Sequence, residues 1–161
     1  MKNKTEIRPS LDSIPWFFDL TPKQISQLEK ISGLTRLESG ETLYLEGDND
    51  NLLYVISEGK VAIDIHVPTH GDLRIYHAEP LDIIGWSSMT PMVRQRPATV
   101  TAVQPSCLIY FDGPALMELC DQDEKIGYII MRRLSNIIAS RLLTMRNQLF
   151  DLLIQNNANS G

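Results

Sequence analysis

The residues best suited to chemistry lie in one run, Gly85-Trp86-Ser87-Ser88-Met89-Thr90-Pro91-Met92-Val93-Arg94-Gln95-Arg96-Pro97-Ala98-Thr99. Arg96 is a permanently charged fork that follows a stretch able to form a helical turn. Backbone N–H groups at a helix start beside a guanidinium are what an anion site requires. The same arginine can equally be a surface or ion-paired side chain. Trp86 can stack on a ligand base or fill a cavity, and core packing suits it as well. Ser87 and Ser88 can donate to a ligand or cap a short helix.

Other reactive side chains are scattered. His66, His70 and His77 fall in or near one hairpin, and strand alternation allows His66 and His77 a shared face, but a metal site is not the expected reading. Cys107 and Cys120 form no C-x-x-C pair and have no histidine nearby, so they read as structural thiols in a cytoplasmic protein. No Ser–His–Asp signature, Walker loop, dinucleotide fingerprint or metalloprotease motif occurs, so the chain is expected not to be an enzyme and no metal is assigned.

The elements that must position the Gly85–Thr99 run are legible in the texture of the sequence. Thr21-Pro22 reads as an N-cap followed by proline at the first helical position, Ile25, Leu28 and Ile31 repeat at helical spacing, and Gly33 is expected to stop that helix. From Leu34 to Asp112 the segments are short, β-branched or aromatic, and punctuated by turns such as Glu46-Gly47-Asp48-Asn49 and Ser57-Glu58-Gly59. Val61–Ile65, the turn Pro68-Thr69-His70-Gly71-Asp72 and Leu73–Tyr76 form a hairpin signature. Two further strands are expected around 98–103 and 106–112. Strands this short and evenly spaced predict a small barrel or jelly roll, which closes or stacks its sheets to protect their edges.

From Gly113 onward the signal is helical, with a short helix over 113–121 and a long one over 123–153, up to roughly 45 Å at 1.5 Å per residue. One stripe on the long helix runs Met131, Leu134, Ile138, Leu142, Met145, Leu149, Leu152, near the heptad pattern with a slip between Ile138 and Leu142. Ile129, Ile130 and Ile137 widen the apolar face at its start. The early part is expected to pack on the barrel. The later part is expected to project with Leu134, Ile138, Leu142, Met145, Leu149 and Leu152 as a homodimer interface.

The order of helix, about eight short strands and long helix resembles the cyclic nucleotide-binding domain of the catabolite-activator and protein-kinase regulatory-subunit superfamily. The resemblance rests on Ser39-Gly40-Glu41-Thr42-Leu43, Glu46-Gly47-Asp48, Leu53-Tyr54-Val55-Ile56, Ser57-Glu58-Gly59-Lys60-Val61, and Gly85 followed by Arg96-Pro97-Ala98-Thr99. It implies a jelly-roll barrel with an N-terminal helix and a long C-terminal helix. It also implies a phosphate-binding cassette with Gly85, Trp86, Ser87, Ser88, Arg96, Pro97, Ala98 and Thr99 as ligand residues and Arg96 as the phosphate arginine. Two positions depart from the family pattern. Trp86 stands where the family has the glutamate that accepts from the ribose 2′-hydroxyl. Pro97 stands where the family often has a residue with an N–H, so one phosphate donor is missing. On the long helix, Met145 and Arg146 fall where the catabolite activator contacts adenine with hydroxyl residues.

Composition narrows the partners. The formal charge of −5 argues against a general affinity for nucleic acid, because neutralising phosphate needs surplus Lys and Arg. Arg132, Arg133, Arg141 and Arg146 read as a solvated helix face rather than a DNA contact. No apolar run approaches the roughly 20 residues that span a bilayer, and the polar start MKNKTEIRPS has no secretory signal. The expected organisation is a loose arm or a short first helix over 1–13, one domain over 14–153 and a disordered tail over 154–161.

The expected function is a cytoplasmic, non-catalytic, ligand-sensing regulatory module. An anionic small molecule, such as a cyclic nucleotide, would be held at Gly85–Thr99, with the C-terminal helix as the dimerising and signalling element. Two alternatives remain open: a dimeric interaction module whose degenerate pocket binds no nucleotide, with a protein partner still to be identified, and a truncated transcription regulator. The initiating Met1 and polar tail favour a stand-alone chain over the last.

Overall fold

Alternation along β3 (Leu52–Glu58) and β8 (Ser106–Asp112) decides the architecture. Leu53, Val55, Ile109 and Phe111 face one apolar cluster, while Tyr54, Ile56 and Leu108 face another. Successive side chains of a strand point to opposite faces, so strands that are apolar at every position must be covered on both sides. One side is covered by helices and the other by a second sheet.

The computed structural model describes residues 10–158. β1 (Ser32–Leu37), β8, β3 and β6 (Ile83–Ile84) form one antiparallel sheet in that order. β2 (Thr42–Tyr44), β7 (Thr99–Ala102), β4 (Val61–Val67) and β5 (Gly71–Ala78) form the other. The expected hairpin is β4–β5, registered Ile65↔Leu73 and Val67↔Gly71 around its turn. The chain therefore has the mainly-β jelly-roll architecture with flanking helices that its texture predicts. Gly40, Gly47 and Gly59 all take positive φ in the turns between strands. Gly59 needs this most, because a Cβ there would also meet the Pro105 carbonyl at 2.5 Å and Ser106 Cα at 2.6 Å.

The helices behave as their caps dictate. α1 (Pro22–Lys30) starts at Thr21, whose hydroxyl accepts from Gln24 N while the Gln24 side chain accepts from Thr21 N, a reciprocal capping box with proline at the first position. The helix ends at Lys30, so Gly33 is not its stop signal. Gly33 lies in β1 opposite Tyr110, where any Cβ would enter the tyrosine ring. α2 (Gly113–Gln122) is capped by Asp112, which accepts from Ala115 N. Asp123 then starts α3 (Glu124–Ala158), accepting from Ile126 N and Lys125 N. Gln24 reaches the same carboxylate from α1. These donors, Gln24 foremost, hold the Asp123 carboxyl below the ordinary carboxylate range.

Two expected boundaries shift, and one expected interface residue is buried. Leu11, placed in the arm, is fully buried in the helical core within a single turn of 3₁₀ helix, Leu11–Ser13. Residues 1–9 of that arm lie outside the described residues. α3 continues through Ala158, so residues 154–158 of the expected tail are helical; residues 159–161 lie outside the described residues. Leu134, expected on the dimer face, is 5% exposed in the chain's own core. It shares a face with Ile126, Ile130 and Ile137, spaced to lie on one side of a 3.6-residue helix, and that side packs into the helical core that covers the first sheet, chiefly against α2.

Candidate functional site

Gly85 opens the site. At φ +75° it turns the chain from β6 into a 3₁₀ turn, Trp86–Met89, in a conformation that favours glycine. A Cβ here would stand 2.7 Å from both Leu52 O and Arg96 Nη1. The absent side chain lets Arg96 come in over the turn. Ser88 Oγ donates to Gly85 O at 2.9 Å, and Thr90 Oγ1 donates to Ser87 O at 3.2 Å. The hydroxyls therefore tie the turn together from its carbonyl side, and neither serine caps a backbone N–H.

Arg96 is placed from the opposite side. Its N–H donates to Asp48 O and its carbonyl accepts from Gly47 N, both at 2.8 Å, so the β2–β3 turn fixes its backbone. Its side chain is fully buried. Nη1 donates to Gly85 O at 3.0 Å and to Ser87 Oγ at 3.2 Å. Nη2 donates to Leu52 O and pairs with Asp50 Oδ2 at 3.0 Å. The ring of Tyr44 lies 4.4 Å from the guanidinium carbon, and Tyr54, 5.9 Å away on β3 of the other sheet, donates its hydroxyl to the same Asp50 oxygen at 2.9 Å. Both nitrogen tips of the fork thus point at protein acceptors. Burial raises the phenols of Tyr44 and Tyr54 far above their usual range, and the Asp50 carboxylate pushes Tyr54 further.

An open depression of about 780 Å³ lies outside this cluster, along Glu46, Gly47, Asn49 and residues 92–97, but the enclosed space between the sheets is small. Tyr44, Ile63, Tyr76, Ile84, Trp86 and Pro97 bound a cavity of about 30 Å³. That is room for water, whereas sites for drug-sized ligands run to roughly 300–1,000 Å³. Trp86 is half-buried, lining this cavity and packing against the helical core. Ala98 is buried between the sheets, Pro97 is exposed, and Thr99 Oγ1 accepts from Glu46 N at 3.0 Å. Of the residues singled out from the sequence, Gly85, Ser87 and Arg96 meet directly; Thr99 serves the β2–β3 turn. Across the Trp86–Met89 turn lies a wider cleft of about 220 Å³, onto which Asp50, Ser88, Thr90 and Arg94 open.

Asp50, Tyr44 and Tyr54 were not recognised from sequence as site residues. Asp50 sits beside the turn residues Glu46–Asn49, where an acid is ordinary, and no periodicity marks it as the partner of an arginine 46 positions on. Helix α3 also reaches the site. Arg141 lies 3.7 Å over the Tyr76 ring and pairs with Asp82 at 3.3 Å, and Gln148 donates to Ile75 O. His66 pairs with Asp72 across the hairpin at 2.9 Å, while His77 registers with Ala62. Among the described residues, no group of His, Cys, Asp or Glu is arranged to hold a metal ion. None of their helices is long and apolar enough to cross a membrane.

A jelly roll closed by a Gly85–Thr99 cassette and a long C-terminal helix is the architecture of a cyclic nucleotide-binding domain. The family model of that description matches residues 34–123, and the chain belongs to this family, whose domains are typically regulatory. Over 128 residues it is 27% identical to a protein of Rhodopseudomonas palustris (strain ATCC BAA-98 / CGA009) named for a potassium channel. That match covers 80% of this chain and 29% of that protein, so the chain spans well under half of this relative. A cyclic nucleotide-binding domain from Methylobacillus flagellatus KT superposes with a TM-score of 0.73 at 22% identity, covering 83% of this chain and 74% of the other. The regulatory subunit of a cAMP-independent protein kinase A from Trypanosoma brucei superposes with a TM-score of 0.63 at 17% identity, covering 76% and 43%. At these identities the two structures share the fold.

Proposed function

We propose that the chain is a non-catalytic regulatory module that acts through protein contacts, with its ligand pocket filled by its own side chains and α3 as the dimerising and output element. The observation that carries this reading is the internal neutralisation of Arg96. The guanidinium that the family resemblance assigns to a ligand phosphate already holds a carboxylate, two carbonyls and a hydroxyl. A phosphate would have to displace Asp50 and separate a buried pair, which costs several kcal/mol before any new bond forms. Trp86 and Pro97 remove two of the family's ligand contacts, and the cavity has no room for a nucleotide. The regulatory subunit of a cAMP-independent protein kinase A from Trypanosoma brucei, which shares this fold, offers a parallel.

One observation favours a second reading, an anion sensor in which the ligand replaces Asp50. The carboxylate is partly exposed and borders the 220 Å³ cleft, so it has somewhere to move. Thermal unfolding against cyclic mono- and dinucleotides and inorganic phosphate separates the two readings. Under the first, wild type shows no shift at millimolar ligand, while Asp50→Ala, with the counter-charge of Arg96 removed, gains one with inorganic phosphate alone. A ligand at about a hundred times its dissociation constant adds roughly 2.7 kcal/mol, several degrees for a chain of this size. A shift of that size in wild type that vanishes in Arg96→Ala would replace the interaction module with the sensor.

A further inference from the structure

Beyond Ile137 the apolar face of α3 no longer anchors the helix. Among the described residues from 138 to 158, only Arg141, Thr144 and Gln148 are even partly covered. Steps of three and four put them on one side of the helix. Arg141 lies over the Tyr76 ring and pairs with Asp82. Gln148 donates to the carbonyl of Ile75, the residue that a bulge between β4 and β5 leaves without a cross-strand partner. The distal half of α3 is therefore attached to the barrel by a few directed polar contacts rather than by buried apolar area.

The turn that receives Arg141 is strained. Glu79-Pro80-Leu81-Asp82 closes with Asp82 N donating to Glu79 O at 2.9 Å, and Leu81 stands at its third position with φ +71°. That is the left-handed conformation a type II turn demands and normally gives to glycine. A leucine stays there only where its surroundings over-determine it, and such positions gather at switch regions. Leu81 N donates to Ile56 O at 2.9 Å, and Leu81 O accepts from Arg133 Nη2 at 3.2 Å. Asp82 Oδ2 accepts from Glu79 N at 2.9 Å and pairs with Arg141 Nη2 at 3.3 Å. The same segment ends three residues after Asp82 at Gly85, whose carbonyl accepts from Arg96. Between them Ile83 and Ile84 are buried and paired with β3. Two arginines of α3 grip one end of this short rod, and the cassette arginine grips the other.

We infer that residues 79–85 form a latch, which holds the distal half of α3 against the barrel in one rotational setting and carries the state of the Arg96 cluster to it. The latch rests on the reading of α3 as the output element and adds what controls that element. Loss of the Asp50–Arg96 pair loosens the grip on Gly85. The rod then shifts, the strained turn relaxes away from positive φ, and the contacts of Arg133 and Arg141 part. Released from the barrel, the distal helix keeps no apolar anchor of its own to hold its setting.

Amide hydrogen exchange of residues 141–150 tests this, since a helical segment lifted off the barrel frays and exchanges. An L142E/L149E background removes any protection by a partner's seam. Arg141→Met and Asp82→Asn break one pair from its two sides, and each should speed this exchange about tenfold, the worth of a charged hydrogen bond. Leu81→Gly relieves the turn and should slow it about fivefold. Asp50→Ala should speed it about fivefold or more. Leu28→Ala is the control. It opens a core cavity on α1, which packs on β1 and the Leu11–Ser13 turn, so it destabilises latched and lifted states alike and these amides should keep their rates. Unchanged exchange in both Arg141→Met and Asp82→Asn overturns the latch. An Asp50→Ala effect no larger than that of Leu28→Ala, or one that persists in full after Arg141→Met, overturns its link to the Arg96 cluster. Sedimentation velocity of the wild type reads dimerisation separately, so single chains that show these shifts refute the dimer and leave the latch standing.

Discussion

Replacing Asp50 with alanine is the most direct probe of the buried cluster. The substitution removes the carboxylate that pairs with a fully buried guanidinium and accepts from the Tyr54 hydroxyl. Removing one partner of a buried pair costs about 3–5 kcal/mol, because the other charge remains desolvated. Here the lower end applies. Asp50 is 23% exposed, and Leu52 O, Gly85 O and Ser87 Oγ still hold the fork. The stranded Tyr54 hydroxyl adds about 1 kcal/mol. A total of about 4 kcal/mol lowers the unfolding midpoint by about 10 °C in a chain of this length. Urea unfolding of wild type, Asp50→Ala, Arg96→Met and the double variant gives the coupling directly. The double variant should be less destabilised than the two single losses added together, since neither charge is then left alone. A loss below about 1 kcal/mol for Asp50→Ala, with no coupling to Arg96, would show that the guanidinium is not held by this carboxylate in solution. The filled-pocket argument would then fail.

Two further predictions test the frame around that cluster. Gly59→Ala combines positive φ with a clash against the Pro105–Ser106 backbone, so it should cost about 2–4 kcal/mol, whereas Gly40→Ala, with open space around it, should cost about 1–2; paired urea curves measure the difference. Burial raises the phenols of Tyr44, Tyr54 and Tyr76 above their usual value near 10, so the folded chain keeps protons that the unfolded chain releases. Their contribution is intact below about pH 10 and is lost progressively as pH rises further. The midpoint should therefore fall steeply above about pH 10, with phenolate absorbance from these three rings appearing only on unfolding. Their ionisation in the folded state at that pH would contradict the burial described here.

The amino-acid sequence by itself determined the parts of this protein that depend on near neighbours. Thr21-Pro22 announces the start of α1, turns such as Glu46-Gly47-Asp48-Asn49 and Ser57-Glu58-Gly59 mark where strands end, and the short, evenly spaced strands announce the jelly roll. These signals act within a few residues, so they read through without knowledge of the fold. The resemblance likewise placed Arg96 at the end of a cassette, and the structure puts it beside Gly85 and Ser87. What Arg96 does there was decided by tertiary structure. Its counter-charge Asp50 is 46 residues away, and Tyr44 and Tyr54 come from two different sheets. Only the stacking of those sheets makes them one desolvated cluster, in which a charge must be paired where it lies. Leu134 makes the same point on α3. Its spacing suits the exposed seam and the buried face alike, and the choice fell to whichever side of the helix met the barrel.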